Sequence, residues 1–212
     1  MLRLYGPKKA ERIIERYAAV IEAVSARYAL PSAFIRALLY TELVRIDVLD
    51  PLADLLVRFN RCRPGGLLGK RDSSTGCGQI FGFVAVNAAN FAVDRGLTSY
   101  AALGLPEHRL DPEDPADLFR MWDRLNREPA FNIELSALNL IAAADEVTGR
   151  TDFSSFSPEE IQRVYTRYNG TAKQITPYGR EAYGHYLRYA ARTSSPSSGA
   201  TSRGERRSLP VP

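Results

Sequence analysis

Apolar residues recur along most of this chain at the three-and-four spacing of helices that bury one face. Over residues 8–29, Ile13, Tyr17, Val20, Ile21 and Val24 share one face, with Lys, Arg and Glu opposite. Pro31 then suits a helix first turn, and Ile35, Leu38 and Leu39 form the next apolar face. The i+7 position of that face is Glu42, so its carboxyl is expected among core side chains. Asp50-Pro51 reads as an aspartate N-cap with proline at N1, opening a helix that carries Leu52, Leu55, Leu56 and Phe59. From Asn60 to Gly78 the pattern gives way to Gly, Pro, Arg and Ser, a loop in which no strand pairing is readable.

Periodicity resumes at Ile80 with a mostly apolar helix stopped by Gly96. A proline-punctuated connection covers residues 97–115, and a helix over Ala116–Asn126 carries Leu118, Met121, Trp122 and Leu125. A long Ala-rich helix follows from Pro129 or Ala130 to about Val147, stopped by Gly149. Ser157-Pro158-Glu159-Glu160 is a capping box whose helix reaches Tyr168. The last helix covers about Pro177–Arg192. No convincing strand run and no repeat of 20–50 residues appears, so the expected class is mainly α. The expected organisation is an N-terminal amphipathic helix (1–28) packed on a domain at 29–192, then a disordered basic tail at 193–212 with little to bury.

Length and composition narrow the function classes. The 212 residues suffice for one sizeable core. Nothing approaches the roughly 18 consecutive apolar residues of a membrane span. The opening MLRLYGPKKAERII lacks the apolar stretch of a secretory signal. A net charge of +4 favours anionic partners weakly, cell-wall polymer or nucleic acid alike. Arg203, Arg206 and Arg207 lie in the tail, but the body has no basic stripe with interleaved aromatics, so nucleic acid is set aside. Cys62 and Cys77 are expected as free thiols. His108 and His185 stand apart from each other and from both cysteines, so neither a zinc site nor another cofactor is expected.

Three constellations carry candidate chemistry. Glu42 joins burial to the negative end of a helix dipole, and both raise a carboxyl pKa toward the range of a general acid. In Asp72-Ser73-Ser74-Thr75-Gly76-Cys77-Gly78-Gln79-Ile80, two glycines in three residues permit close backbone approach or positive φ. Gln79 there offers a donor and an acceptor suited to an N-acetylated sugar. In Val164–Gly170, Tyr168 and Asn169 end a helix, where a phenol and an amide could face a cleft and Tyr168 could orient the acid or stack on a sugar.

Together these segments resemble the lysozyme-like soluble lytic transglycosylases, relatives of goose-type lysozymes. The resemblance covers about Ala29–Arg192: an acid ending a core helix, Gly-x-Gly-Gln-Ile, Asn132-Ile133 opening an Ala-rich helix, then Tyr-Asn-Gly. It implies a compact helical lysozyme-like domain with a sugar-binding cleft, and peptidoglycan glycan strands as partner. Glu42 matches the catalytic acid, and Gly76–Ile80 and Tyr168-Asn169-Gly170 match substrate-binding segments, with Ser74 and Asp72 in the same loop. The implied reaction cuts the β-1,4 bond between N-acetylmuramic acid and N-acetylglucosamine, needs one carboxyl and no cofactor, and leaves 1,6-anhydro products. A hydrolytic muramidase would use Asp72 as a second carboxylate, with Asp47 and Asp50 weaker candidates. A glycan-binding module without catalysis is the third reading. The chain departs from the family at Leu43 (usually serine), at Gly78 (often methionine), in the missing alanine before Gly170, and in the inserted Asp50 helix. With no export signal visible, the expectation is synthesis in the cytoplasm and action on the wall after delivery or lysis. Any immunity or delivery partner stays unspecified.

Overall fold

The computed structural model describes residues 3–65, 70–171 and 173–194. The elements run α1 (Pro7–Arg16), α2 (Ala18–Tyr28), α3 (Ser32–Leu43), α4 (Asp50–Asn60), β1 (Ser74–Thr75), β2 (Ile80–Phe81), α5 (Gly82–Asp94), α6 (Pro115–Arg127), α7 (Pro129–Thr148), α8 (Pro158–Tyr168) and α9 (Pro177–Ser194). The chain is mainly helical and compact. The tail expected at 193–212 lies, from residue 195 onward, outside the described residues.

The core is built around α3. All of Ser32–Leu43 except Arg36 is buried, with α1, α2, α7 and α9 packed on it. Phe34, Ile35, Leu38 and Leu39 are each at most 2% exposed, and burying each contributes about 2 kcal/mol. Arg36, the exception, reaches Glu15 of α1 at 3.3 Å and Glu22 of α2 at 3.1 Å. Tyr165 of α8 donates its hydroxyl to the Phe34 carbonyl at 3.1 Å, satisfying a buried polar group.

Four local readings change. The helix expected over 8–29 divides at Tyr17, whose N–H meets the Ile13 and Ile14 carbonyls at 3.2 and 3.1 Å in a tightened turn. No proline or glycine marks that break. Ile80-Phe81 pairs as a strand rather than opening the helix: Ser74 faces Phe81 and Thr75 faces Ile80 in a short antiparallel hairpin. Asp50 does not cap its own helix. It occupies the first helical position, and its Oδ2 accepts from the Asp47 N–H at 2.8 Å, because from there the side chain points back along the chain.

The fourth change is the facing of α4. Its Asp54 accepts from the Ser73 and Thr75 hydroxyls at 2.8 and 2.9 Å and from the Asn126 amide at 3.1 Å. Those bonds turn the polar side of α4 inward. Val57 follows it in, packed with Cys62, Leu118 and Trp122. Leu52, Leu55 and Phe59 are left outside.

The packing of α9 on α8 depends on Gly179. A Cβ there would lie 2.1 Å from Thr166 Oγ1 and 2.4 Å from the Gln162 carbonyl oxygen. Gly184, on the same helix, has nothing within 4 Å of its would-be Cβ. Gly179→Ala should therefore destabilise the protein by about 2 kcal/mol or more through overpacking. Gly184→Ala should stabilise it by about 0.5 to 1 kcal/mol, as alanine replaces glycine in a helix. Urea midpoints of the two variants read this directly; shifts of the same sign would contradict the packing described.

Candidate active site

Glu42 is the penultimate residue of α3, so it inherits the burial of that helix and is 8% exposed. It lies at the wall of an open cavity of about 340 Å³. Burial raises its carboxyl from 4.5 to about 7. The Tyr178 hydroxyl and the Arg45 guanidinium pull in the opposite direction, while Asp50 and Glu181 add to the rise. The Tyr178 hydroxyl donates to Glu42 Oε1. Arg45 lies 4.9 Å over the Tyr178 ring and pairs with Glu181, which fixes both cation and phenol beside the acid. Burial and the negative charge of Glu42 hold the Tyr178 phenol well above its ordinary value, so it stays a donor.

The opposite wall is the hairpin loop, and α7 holds it in place. Asn132, fully buried near the start of α7, accepts from the Gly78 N–H at 2.8 Å. Its Nδ2 donates to the Thr75 and Leu125 carbonyls at 2.9 and 3.2 Å. Glycine is required here by this packing. A Cβ on Gly76 (φ +71°) would lie 2.1 Å from Asn132 Nδ2, and one on Gly78 would lie 2.0 Å from Ser136 Oγ. The close backbone approach read from the two glycines is thus an approach to α7. Gln79 itself holds φ +45°. Its Nε2 donates to the Gly76 carbonyl at 2.9 Å, and its Oε1 accepts from Ser74 at 3.3 Å. The third wall is the end of α8, where the Tyr168 hydroxyl donates to the Gly78 carbonyl at 2.8 Å. That bond ties α8 to the loop, and the phenol that touches the acid is Tyr178.

Of the residues singled out in the sequence, Glu42, Ser74, Gln79, Ile80, Tyr168 and Asn169 line this cavity together. Gly76 lines a neighbouring cavity of about 320 Å³ that shares Ile46, Asp50 and Gln79 with the first. Asp72 lies outside both. Its Oδ1 accepts from the Ser73 and Gly82 N–H groups at 2.8 and 3.0 Å, and its Oδ2 from Phe83 at 2.9 Å. It serves as the anionic cap of α5. Burial still lifts its carboxyl above the ordinary value, against the pull of those three amides.

The carboxylates that do share the cavity are Asp47 and Asp50. Sequence reasoning missed Tyr178, Arg45 and Asn139 of α7, which also line or touch the site. Tyr178 is 136 residues from its partner, and no periodicity within one segment carries that pairing. Cys62 and Cys77 are both free thiols. No family model matches this chain, and neither a curated protein nor a solved structure does.

The raised carboxyl has a consequence for stability. An unfolded Glu42 ionises near 4.5 and the folded one near 7, so stability is full below about 4.5 and is lost as pH rises through about 7. Over that window up to about 3 kcal/mol is at stake. Glu42→Gln keeps an acceptor for Tyr178 and removes the charge. The variant should match the parent protein at pH 4 and exceed its stability at pH 8 by about 1 to 3 kcal/mol. Denaturant titrations at the two pH values check it; a variant less stable at pH 8 would mean that Glu42 is not held out of water.

Proposed function

We propose that the protein cleaves the β-1,4 bond between N-acetylmuramic acid and N-acetylglucosamine in peptidoglycan, with Glu42 as the one acid and base, and leaves 1,6-anhydro ends. The observation that carries the reading is a buried carboxyl with pKa about 7 facing an open, polar-walled cavity. Such a group keeps its proton in about half of the molecules at pH 7, and the acid form is poised to give that proton to a leaving oxygen.

In this mechanism the glycan lies in the cavity, taken as a lysozyme-like cleft, between the hairpin loop and the end of α8. Glu42 gives its proton to the glycosidic oxygen, and the C1–O bond breaks. The 2-acetamido group of the muramic residue supports the positive charge at C1. Tyr178 and Arg45 now face a carboxylate, and both stabilise it. That carboxylate takes the proton of the C6 hydroxyl, O6 bonds to C1, and Glu42 is restored. The position of Asp72 supports this route over hydrolysis with Asp72 as the base: both of its oxygens are engaged at the start of α5, away from the cavity.

Glu42→Gln should abolish release of muropeptides while the variant stays folded. The parent digest should contain anhydro-muropeptides by mass spectrometry. Reducing ends would assign a hydrolase, and an undigested sacculus a binder. The rate should fall about tenfold per pH unit above about 7, as the acid form of Glu42 is titrated away.

Asp72→Asn should behave differently. It weakens the α5 cap and should cost about 1 to 2 kcal/mol of stability. The cleavage rate of the folded variant should stay within about threefold of the parent, whereas losing a general base costs about 10² to 10⁴-fold. A loss of that size would restore Asp72 as the base of a muramidase.

A further inference from the structure

The outward side of α4 is the least expected surface of the molecule. Leu52 is 52% exposed, Leu55 61% and Phe59 75%, with Leu49 at 60% just before the helix. These residues follow one helical stripe, opposite buried Val57. At the end of α4 the backbone makes an unusual turn, with Arg61 and Cys62 at φ +49° and +56°. Cys62 is anchored in the core with Leu118 and Trp122, which leaves Arg61 and Arg63 exposed on either side of it.

The hydrogen bond of Arg58 and the ring contact of Arg61 are both to neutral groups, although the charge of Arg58 is also felt by Asp54. Arg58 donates to Asn126 Oδ1 at 2.7 Å, and the Arg61 guanidinium lies 5.2 Å over the Phe119 ring. Among the described residues no ion pair includes Arg58, Arg61 or Arg63. The acids of α4 itself are turned in: Asp54 to Ser73 and Thr75, Asp50 to the Asp47 amide. Asp114 shares a cavity with Arg61 and Arg63 as the single acid against two cations, and its Oδ1 also accepts from the Ala116 N–H at 3.2 Å as the cap of α6.

We propose that this apolar stripe and its three arginines dock the protein on an anionic lipid surface. The helix would lie in the interface, with Leu52, Leu55 and Phe59 among the acyl chains and the guanidinium groups at the phosphates. This is distinct from spanning; no helix among the described residues is long and apolar enough to cross a membrane. Charge selects this occupant over a second copy of the chain. Two copies meeting through this stripe would bring two arginine triplets together, on chains that each carry +4. An anionic bilayer supplies apolar volume and the opposite charge at once. Asp50, at the other end of α4, lines the cavity of Glu42. With α4 lying flat, docking therefore holds the Asp50 edge of that cavity about one helix diameter, roughly 10 to 12 Å, from the lipid surface.

The proposal does not rest on murein cleavage, and its test measures binding alone. The full chain is floated with vesicles of phosphatidylglycerol mixed with phosphatidylcholine, and with phosphatidylcholine alone. Binding should favour the anionic vesicles by at least tenfold. It should weaken as salt rises from about 0.1 to about 1 M and the screening length falls from about 10 to about 3 Å. Leu52→Ser/Leu55→Ser/Phe59→Ser should bind at least tenfold more weakly. It should stay folded and melt within several degrees of the parent, since the lost helix propensity and partial packing are small. Arg58→Gln/Arg61→Gln/Arg63→Gln should lose about a hundredfold on anionic vesicles. Equal binding to both vesicle types, unchanged binding by the serine variant, or no binding overturns the proposal. So does a dimer in sedimentation equilibrium that the serine variant dissociates, which would assign the stripe to a second copy.

Discussion

Keeping the Glu42 carboxyl out of water is the constraint on which the candidate site depends. A carboxyl at the end of an exposed helix would be ionised at neutral pH and would have no proton to give. Here α1, α2, α7 and α9 close around α3, and Glu42 in its last turn is closed in with it. An unpartnered buried carboxyl would be costly, so a donor must reach it. The Tyr178 hydroxyl is that donor. It arrives because α9 lies tightly on α8 at Gly179, one residue further along. The acid, the phenol and the helix crossing are thus parts of one arrangement, and a change at any of them is felt at the other two.

Much of this frame is legible along the chain, because helices are local objects. The i+7 relation that links Ile35 to Glu42 points the acid toward the core, and Glu42 is buried, as is every other residue of α3 except Arg36. The Ser157–Glu160 box is formed with both reciprocal bonds, at 2.8 and 3.3 Å. Gly149 ends α7 at φ +69°. What stays illegible is non-local. Nothing in the first turn of α9 announces that Tyr178 will meet a residue far back in the chain. Nor does the loop sequence reveal that its glycines are required by Asn132 and Ser136. A glycine pair states that the backbone comes close to something; whether that is a helix or a ligand depends on the far side of the contact.

The facing of α4 shows the same limit in another form. Periodicity assigns a helix an apolar side and a polar side, but leaves open which one turns inward. For α3 the question does not arise, because neighbours surround it and every residue but Arg36 is buried. For α4 the polar side wins, since Ser73, Thr75 and Asn126 offer Asp54 three hydrogen bonds. Those bonds also anchor the loop that forms the wall opposite Glu42. The leucines of α4 are left in water as a consequence of building that wall.

Three departures from ordinary patterning therefore gather in one region: an acid on the core face of α3, an aspartate on the inner side of α4, and leucines and a phenylalanine on its outer side. Each is unfavourable taken alone. Burial raises the Asp54 carboxyl above its ordinary value as it does that of Glu42. The outward leucines, a little over half exposed, forgo about 1 to 2 kcal/mol apiece that full burial would have supplied. Substitution at Leu52 would repair its conflict alone, whereas at Glu42 and Asp54 the hydrogen-bond partners Tyr178, Ser73, Thr75 and Asn126 would have to change as well. Local rules are broken where a protein does something other than fold. Glu42 lines one cavity and Asp54 its neighbour, and the two share Ile46, Asp50 and Gln79, so the two inward acids meet across a common wall while the leucines and Phe59 lie on the far side of α4.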